Sequence, residues 1–387
     1  MDPVFSELSV LLVGAAVLGC LAVIGRQPII IAYVLAGMLI GPWGLGWLSS
    51  IEFIEKTGHL GITLLLFLAG LCLHPQKLLG LFRKTLLITV INALFAFAVI
   101  FFATWVLRFS LGDCLWIGLA LMFSSTILVV KLLPTTKLHQ QRMGAICISV
   151  LILQDLMAVA LLLWVGSASF SQGILLGFAM LIFKIAALSA GLILFDTYIL
   201  HPVMKQVDRI HEALFILGLA WCFGIAAGAS HIGLSYEIGA FLAGVALARR
   251  KISFFISERL KPLRDFFLVI FFFSLGAGFD MRSLGGIFLP ALLLSVMLIV
   301  VKALGFKLAF QRSGEPEGSA KELGVRLAQG SEFSLLLALS AANVGFLSQP
   351  ASLLVKAVTI LTFIFSSYIV VWRFPTPIGT SEKLFRD

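Results

Sequence analysis

The chain has 387 residues, of which 60% are hydrophobic and 12% are charged. A soluble domain carries about 25% charged residues, so this composition excludes an ordinary soluble protein and predicts a polytopic protein of the lipid bilayer. The net charge of +9 comes from basic residues spread over loop ends rather than gathered with aromatic residues in one patch, so we expect no nucleic-acid partner.

Apolar segments of about 20 residues, the length needed to cross a bilayer, follow one another along the chain. Their approximate limits are 5–24, 28–46, 58–74, 85–107, 113–133, 143–166, 172–197, 212–230, 233–248, 264–280, 285–310, 320–343 and 351–372. We number them spans 1 to 13 and predict an all-α membrane protein with about 13 transmembrane helices. A count of twelve is the alternative, because spans 2 and 9 are short and rich in glycine.

Lysine and arginine accumulate in the cytoplasmic loops of membrane proteins, so the loop charges test this count and indicate its orientation. With the N-terminus outside, most basic residues fall on the cytoplasmic side: Arg26, Lys77, Arg83, Lys84, Lys131, Lys137, Arg142, Lys205, Arg209, Arg249, Arg250, Lys251, Arg259, Lys261, Arg264, Lys307, Arg312, Lys321, Arg326, Arg373, Lys383 and Arg386. The opposite loops contain only Lys56, Arg108, Arg282 and Lys356. We therefore expect the first helix to be retained with its N-terminus outside, and residues 376–387 to form a short cytoplasmic tail.

The two halves of the chain repeat each other at an offset of about 206 to 207 residues. The matching stretches are Tyr33-Val34-Leu35-Ala36-Gly37 with Ala240-Phe241-Leu242-Ala243-Gly244, Phe67-Leu68-Ala69-Gly70 with Phe273-Ser274-Leu275-Gly276, and Ser124-Ser125 with Gly330-Ser331. The shift carries span 2 onto span 9, an odd number of helices away, so the halves cross the membrane in opposite directions. Inverted repeats of this kind are typical of secondary transporters. We predict one transmembrane domain over 1–375, with repeats over about 1–167 and 210–372 and a linker helix over about 171–200.

Polar residues interrupt two spans that correspond in the repeat. They are Ser124, Ser125 and Thr126 in span 5, and Gln329, Gly330, Ser331 and Glu332 in span 12. Unwound backbone is tolerated in a bilayer only where it is buried or lines a cavity, so we predict that both spans break here and that the two breaks cross. The alternative is that the hydroxyl groups bond to carbonyls within intact helices.

The pair Gln154-Asp155 lies near the middle of span 6, and we place it beside the crossed breaks. A carboxylate at bilayer depth costs about 2.5 to 3.5 kcal/mol, which makes Asp155 a candidate for ion or proton handling. Lys302 in span 11 is interpreted as its counter-ion or as a lysine that itself exchanges a proton, with a snorkelling lysine as the alternative. Glu332 either contacts an ion or stabilises the break, and Lys184 in span 7 is interpreted as structural.

Four motifs resemble the Kef branch of the monovalent cation:proton antiporters, whose best-known members are glutathione-regulated potassium efflux systems. They are Ile40-Gly41-Pro42-Trp43-Gly44-Leu45, Gly239-Ala240-Phe241-Leu242-Ala243-Gly244, Leu153-Gln154-Asp155 and Gln329-Gly330-Ser331-Glu332-Phe333. The resemblance covers essentially the whole chain. It implies a sodium/proton antiporter-like fold in which Asp155 is the site where cation and proton compete, framed by the crossed breaks.

The same resemblance implies a core bundle of spans 4 to 6 and 11 to 13 that moves against a dimer-forming scaffold, in a homodimer of the bacterial inner membrane. Kef systems usually continue into a cytosolic nucleotide-binding regulatory domain, which this sequence does not contain, so we expect a short family member or a truncated one. The loop over residues 249–264 also lacks the acidic stretch that gates those systems. Glutathione-type regulation is therefore not expected.

Together these features predict a secondary transporter rather than an enzyme, with no cofactor beyond the transported cation and proton. A protonated Asp155 is neutral, and an ionised Asp155 is neutralised by a bound monovalent cation, so one site exchanges one for the other by alternating access. Gln154 cannot carry a second charge, so we expect electroneutral exchange unless Lys302 also titrates, with potassium favoured over sodium. The alternatives are sodium/proton antiport on the same fold and a gated cation channel, which moves no protons. A membrane enzyme or sensor is disfavoured because no second carboxylate or nucleophile accompanies Asp155 at depth.

Overall fold

A computed structural model describes residues 3–25, 27–48, 51–72, 75–134, 142–167, 174–207, 211–234, 236–248, 250, 252–279 and 285–376. The regular elements in these ranges are helices. In chain order they are α1 (Pro3–Ile24), α2 (Ile29–Ile40), α3 (Ile51–Cys72), α4 (Pro75–Val106), α5 (Leu111–Leu121), α6 (Thr126–Leu132), α7 (Arg142–Ser167), α8 (Ile174–Phe195), a π-helix (Asp196–Leu200), α9 (His201–Val207), α10 (His211–His231), α11 (Tyr236–Leu247), α12 (Ile252–Ala277), α13 (Phe288–Arg312), α14 (Glu317–Arg326), α15 (Glu332–Val344) and α16 (Gln349–Arg373). Apart from Thr376, the predicted tail lies outside the described residues.

Each of the predicted spans coincides with one of these helices or with a consecutive pair, which confirms an all-α membrane protein of roughly the expected helix count. Within the described residues, eight helical stretches are long and apolar enough to cross a membrane: Phe5–Ile24, Thr85–Val106, Leu111–Val129, Met143–Leu162, Ile182–Met204, Glu212–His231, Phe288–Arg312 and Gln349–Arg373. Spans 2 and 9 correspond to the short apolar stretches Ile29–Ile40 and Ile238–Leu247. The orientation of the termini stays a prediction.

The largest departure from the predicted boundaries is at α12. The sequence predicts a loop over residues 249–264 and a span from 264, whereas the helix begins at Ile252 and continues through Pro262. Its first turns are amphipathic, with Ile256 and Leu260 buried in a hydrophobic core and Arg259 exposed. A hydropathy criterion misses this stretch because its charged residues lower the mean hydropathy of the segment. Its apolar side chains nevertheless recur at helical spacing.

Contacts within the chain divide it into two compact units, Met1–Ala16 with Tyr33–Leu78 and Phe170–Gly278, and Val17–Ala32 with Leu79–Ser169 and Phe279–Asp387. In the first unit, the glycines of the sequence repeat lie at helix crossings. A Cβ at Gly37 of α2 would collide with the carbonyl of Phe273 in α12, and a Cβ at Gly244 of α11 would collide with the carbonyl of Phe67 in α3. The repeat carries the first crossing onto the second, so the repeated glycines exist because two backbones meet there.

The second unit contains the helices of spans 4 to 6 and 11 to 13, the set that the resemblance implies for the core bundle. Its helix ends are tied by polar and aromatic contacts. Asp113 in the first turn of α5 accepts a hydrogen bond from the backbone N–H of Ser348, the residue that caps α16, at 2.8 Å. Trp116 stacks on Trp164 and Phe346, with ring centroids 5.5 and 5.3 Å apart. These contacts tie the start of α5 to α7 and to the segment that leads into α16.

Candidate functional site

Both predicted helix breaks are present in the second unit. The first runs from the end of α5 at Leu121 to the start of α6 at Thr126, and the second from Arg326 at the end of α14 to Glu332 at the start of α15. Serine side chains begin both half-helices: the Ser125 hydroxyl accepts a hydrogen bond from the N–H of Leu128 at 3.1 Å. Ser331 accepts one from the N–H of Phe333 at 3.1 Å and forms a capping box. Each serine satisfies backbone donors that would otherwise be orphaned in a low-dielectric interior.

The two breaks contact each other directly. The Ser124 hydroxyl donates to the carbonyl of Leu327 at 2.7 Å, and the Gln329 amide donates to the carbonyl of Ser125 at 3.4 Å. Both serines and Gln329 are essentially inaccessible to solvent. The predicted crossing of the breaks is therefore observed, and it is built from side chains of one break that bond to the backbone of the other.

Lys302 of α13 joins the two breaks. Its ammonium group is fully buried and donates to the carbonyl of Phe123 in the first break at 2.6 Å and to the carbonyl of Gln329 in the second at 2.7 Å. Complete burial excludes the snorkelling interpretation. Among the described residues, the carboxylates within salt-bridge distance of a basic side chain do not include Asp155. The sequence-based interpretation of Lys302 as a direct counter-ion is thus corrected, because its hydrogen bonds go to unwound backbone.

Asp155 projects from α7 against the first turn of α6. The hydroxyl of Thr126 lies 3.1 Å from one carboxylate oxygen of Asp155 and 3.0 Å from the other, in a position to donate to either. The carboxylate is buried, with 6% of the residue exposed. Within the predicted Ser124-Ser125-Thr126 set, the hydroxyl of Thr126 is hydrogen-bonded to Asp155. A direct role for the two serines as ion ligands stays a prediction.

Gln154 bonds to the first break in this structure, and its part in cation or proton binding stays a prediction. Its side-chain carbonyl accepts a hydrogen bond from the backbone N–H of Ser124 at 3.0 Å, which fixes the first break to α7. Its amide nitrogen is buried and has no hydrogen-bond partner within the described part of the chain. The adjacent carboxylate and amide thus make different contacts. Asp155 contacts the first residue of α6, and Gln154 bonds to the unwound segment that precedes α6.

Glu332 is a second buried carboxylate close to Asp155. It is fully buried, and it interacts electrostatically with Asp155. Within the described residues neither of its side-chain oxygens has a hydrogen bond of ordinary geometry, although the N–H group of Glu332 itself, the Ser125 hydroxyl and the N–H groups of Ile127 and Thr126 lie nearby. The expectation that no second carboxylate accompanies Asp155 at depth is therefore wrong, because the second break folds Glu332 back towards the first turn of α6.

Helix α16 supplies two polar contacts that the sequence analysis does not identify. The N–H of Gly330 donates to the Thr362 hydroxyl at 2.9 Å, and the Ser366 hydroxyl donates to the side-chain carbonyl of Gln329 at 3.2 Å. The signal is present in the sequence, since Thr359, Thr362 and Ser366 recur at helical spacing within an apolar helix and all are buried. Such a polar stripe on one face of a membrane helix indicates a partner that needs hydrogen bonds.

The arrangement provides oxygen donors of three kinds within one small region: carboxylate, hydroxyl and backbone carbonyl. Such oxygens are the ligands that hard cations prefer. A carboxylate that meets a hydroxyl group can instead hold a proton. The geometry therefore suits a site where a cation and a proton compete for Asp155, with the Lys302 side chain held on the backbone carbonyls of the two breaks.

Comparisons with known proteins identify the family of the chain. The profile of the family described as "Sodium/hydrogen exchanger, transmembrane" matches residues 8–374. The chain is 30% identical over 352 residues to the protein named iron transporter MagA of Paramagnetospirillum magneticum. This match covers 90% of the chain and 80% of MagA. It is 29% identical over 317 residues to the glutathione-regulated potassium-efflux system protein KefC of Salmonella arizonae, which covers 80% of this chain and 50% of KefC. The chain thus spans about half the length of the KefC relatives it matches.

Among solved structures, the sodium proton antiporter MjNhaP1 from Methanocaldococcus jannaschii superposes with a TM-score of 0.68 at 17% sequence identity, over 95% of both chains. At this identity the likeness establishes the fold, which is the predicted sodium/proton antiporter-like architecture with discontinuous helices. Because the family profile extends over nearly the whole sequence, the chain belongs to the sodium/hydrogen exchanger family.

Proposed function

We propose that this protein is a cation:proton antiporter that exchanges a monovalent cation for protons at Asp155 by alternating access. Membership of the sodium/hydrogen exchanger family and the fold support the antiport of a cation and a proton. The observation that carries the assignment is the contact of the Thr126 hydroxyl with both oxygens of a buried Asp155, beside two crossed helix breaks. We place the protein in the bacterial inner membrane as a homodimer, with its N-terminus outside and C-terminus in the cytoplasm.

The proposed cycle depends on charge balance at one carboxylate. An ionised Asp155 buried without compensation is costly, so the site is stable when it holds either a proton or a cation. Thr126 fits both states because its hydroxyl can donate to the carboxylate or turn a lone pair towards a bound cation. Lys302 is engaged with two backbone carbonyls in the structure, so we assign it a constant positive charge that offsets part of the negative charge of the site.

We propose one exchangeable charge, on Asp155, and hence electroneutral exchange. Gln154 cannot ionise, and Glu332 is proposed to keep the same protonation state throughout the cycle. A Glu332→Gln variant in proteoliposomes tests this point directly. Exchange should be independent of the membrane potential in both the wild type and the variant; turnover that follows the potential in the wild type but not in the variant would assign a second exchangeable charge to Glu332.

Potassium is the proposed cation, ahead of sodium. The KefC relatives are named potassium-efflux system proteins, and the antiporter with the similar structure is named a sodium proton antiporter. The name of the MagA relative gives iron as its substrate, which makes a divalent ion the alternative to be tested. The three assignments predict different ion dependences for the same Asp155-centred site.

The deciding experiment measures dissipation of a pH gradient in everted membrane vesicles after addition of potassium, sodium, lithium, rubidium or ferrous ion in turn. Dissipation that saturates with potassium and rubidium supports the proposal, and a response to sodium and lithium alone indicates the sodium exchanger. A response to ferrous ion alone would favour the iron substrate. Cation flux that does not saturate and moves no protons would replace the antiporter with a channel.

A further inference from the structure

Arg326 is a buried cation that has no part in the proposed exchange chemistry. It is the last residue of α14, and only 2% of it is exposed. Its guanidinium group donates to Glu322 from Nε at 3.0 Å and from Nη2 at 2.8 Å. It also donates from Nη1 to the carbonyl of Leu132 and from Nη2 to the carbonyl of Pro375, both at 2.8 Å. One side chain therefore connects three separate segments of the second unit.

Two of these segments lead directly to the proposed exchange site. Leu132 is the last residue of α6, whose first residue, Thr126, contacts Asp155. On its own helix, Arg326 immediately precedes Leu327, whose carbonyl accepts the hydrogen bond from Ser124. Arg326 thus holds the C-terminal end of α6 and the first residue of the second break.

The third segment is the short stretch after α16. The Pro375 carbonyl bonds to the guanidinium, and the ring of Phe374 lies over it with its centroid 5.8 Å from Cζ. The guanidinium is planar and presents its donors in a fixed fork, so its acceptors cannot shift independently of one another. Because the group is buried, water cannot easily replace a lost acceptor. A displacement of residues 374–376 must therefore move the guanidinium or break one of its bonds.

We infer that Arg326 is a positioning residue that couples the segment over residues 374–376 to the affinity of the exchange site. The inference rests on the proposed function, since its readout is the exchange that Asp155 performs. Movement of the segment after α16 is transmitted through Arg326 to the end of α6 and to the start of the second break. Any partner or chain segment that pulls on residues 374–376 then regulates exchange without touching the ion.

The test compares two conservative variants with matched controls on neighbouring surfaces. Arg326→Lys keeps the charge but cannot reach Glu322, Leu132 and Pro375 together, and Glu322→Gln removes the charge that orients the guanidinium. The first control is Arg312→Lys at the exposed end of α13. The second is Glu317→Gln in the first turn of α14, where the exposed carboxylate of Glu317 pairs with Lys307 of α13. We expect the KM for potassium to rise at least about threefold and the pH profile of exchange to shift in both test variants. Neither quantity should change in the controls.

A double-mutant cycle tests the link to the C-terminal segment. Phe374→Ala should raise the KM for potassium in the wild-type background and have no further effect in the Arg326→Lys background, because the path through Arg326 is already broken. Equal effects of Phe374→Ala in both backgrounds would overturn the inference. So would test variants that lower only the amount of protein or its thermal unfolding temperature while the KM and the pH profile stay unchanged.

The proposed function is checked separately with Asp155→Asn. If the wild type exchanges cations for protons and Asp155→Asn does not, the assay reports on the proposed site, and the Arg326 variants decide the coupling. If Asp155→Asn retains normal exchange, the site assignment fails first. Failure of the coupling and failure of the exchange site therefore give different results.

Discussion

Replacement of Thr126 by valine tests the most specific contact in the candidate site. Valine has nearly the same shape as threonine but lacks the hydroxyl group, whose oxygen lies 3.1 and 3.0 Å from the two carboxylate oxygens of Asp155. The substitution keeps the packing of the first turn of α6 and removes one oxygen from the site. Thr126→Ser is the matched control, because it retains the hydroxyl and loses only a methyl group.

The size of the effect follows from the oxygen contact to the bound cation that is lost with the hydroxyl group. A polar contact to a charged group contributes about 1.5 to 3 kcal/mol, and a difference of about 1.4 kcal/mol changes an equilibrium constant tenfold. Because Asp155 is buried, water cannot fully replace the hydroxyl. We therefore expect Thr126→Val to raise the KM for potassium by about tenfold or more, while Thr126→Ser stays within about threefold of the wild type.

The assay is cation-dependent dissipation of a pH gradient in proteoliposomes, with the potassium concentration varied at constant ionic strength. Thermal unfolding in detergent confirms that both variants are folded, so that a change in KM is not a loss of protein. If Thr126→Val has the wild-type KM and the wild-type pH profile, Thr126 is not a ligand of the transported ion. In that case the contact with Asp155 is a packing feature of the resting structure, and the proposed ligand set is wrong.

Three further substitutions test the carboxylate, the lysine and a helix crossing. Asp155→Asn should abolish cation-coupled proton movement, because the site can no longer exchange a proton for a cation. Normal exchange by this variant would show that Asp155 is not the exchange site. Lys302→Met leaves two buried carbonyls without a partner, at about 1 to 3 kcal/mol each, and removes the cost of burying the ammonium group, so we expect a net destabilisation of less than about 6 kcal/mol; an unchanged unfolding temperature would contradict this. Gly37→Leu should prevent stable folding because its side chain would enter the backbone of α12, whereas Gly191→Ala, which has open space around its Cβ, should be neutral or slightly stabilising.

Hydropathy and the repeat are sufficient to predict both breaks and the helices, apart from the first turns of α12. A polar interruption in a membrane span is costly wherever it occurs, so Ser124 to Thr126 and Gln329 to Glu332 stand out from single-sequence patterns. The buried position of Asp155 is predictable for the same reason. These predictions concern the cost of placing a polar group in lipid, which depends on residue type and depth alone.

The partners of those polar groups could not be predicted in the same way. The attraction of opposite charges predicts that Lys302 pairs with Asp155, yet Lys302 bonds to the carbonyls of Phe123 and Gln329. Those acceptors become available only because the helices unwind, and a backbone carbonyl leaves no mark in the sequence. The hydrogen bond from the N–H of Ser124 to Gln154 was missed for the same reason: the sequence shows which side chains are polar, not which backbone groups need them.

The proximity of Glu332 to Asp155 illustrates a second limit. Both residues are visible as buried acids in the sequence, but they are 177 positions apart, and only the fold of the second break brings them together. Low local dielectric makes two nearby carboxylates interact strongly. Whether exchange is electroneutral is therefore decided by how the breaks fold, and the absence of a second acid beside Asp155 in the chain is not sufficient to establish it.

The separations of the contacting residues indicate where the site lies in the inverted repeat. On a pseudo-two-fold axis, a residue contacts its own repeat equivalent, so contact partners there are separated by nearly the repeat offset of about 206 residues. The Ser124 to Leu327 bond spans 203 residues and the Gln329 to Ser125 bond spans 204. The helix crossings at Gly37 and Gly244 lie off this axis, because the repeat offset carries the first crossing onto the second rather than onto itself. The crossed breaks therefore lie on the axis itself, where both halves change together, and a substitution in either break must alter the same site.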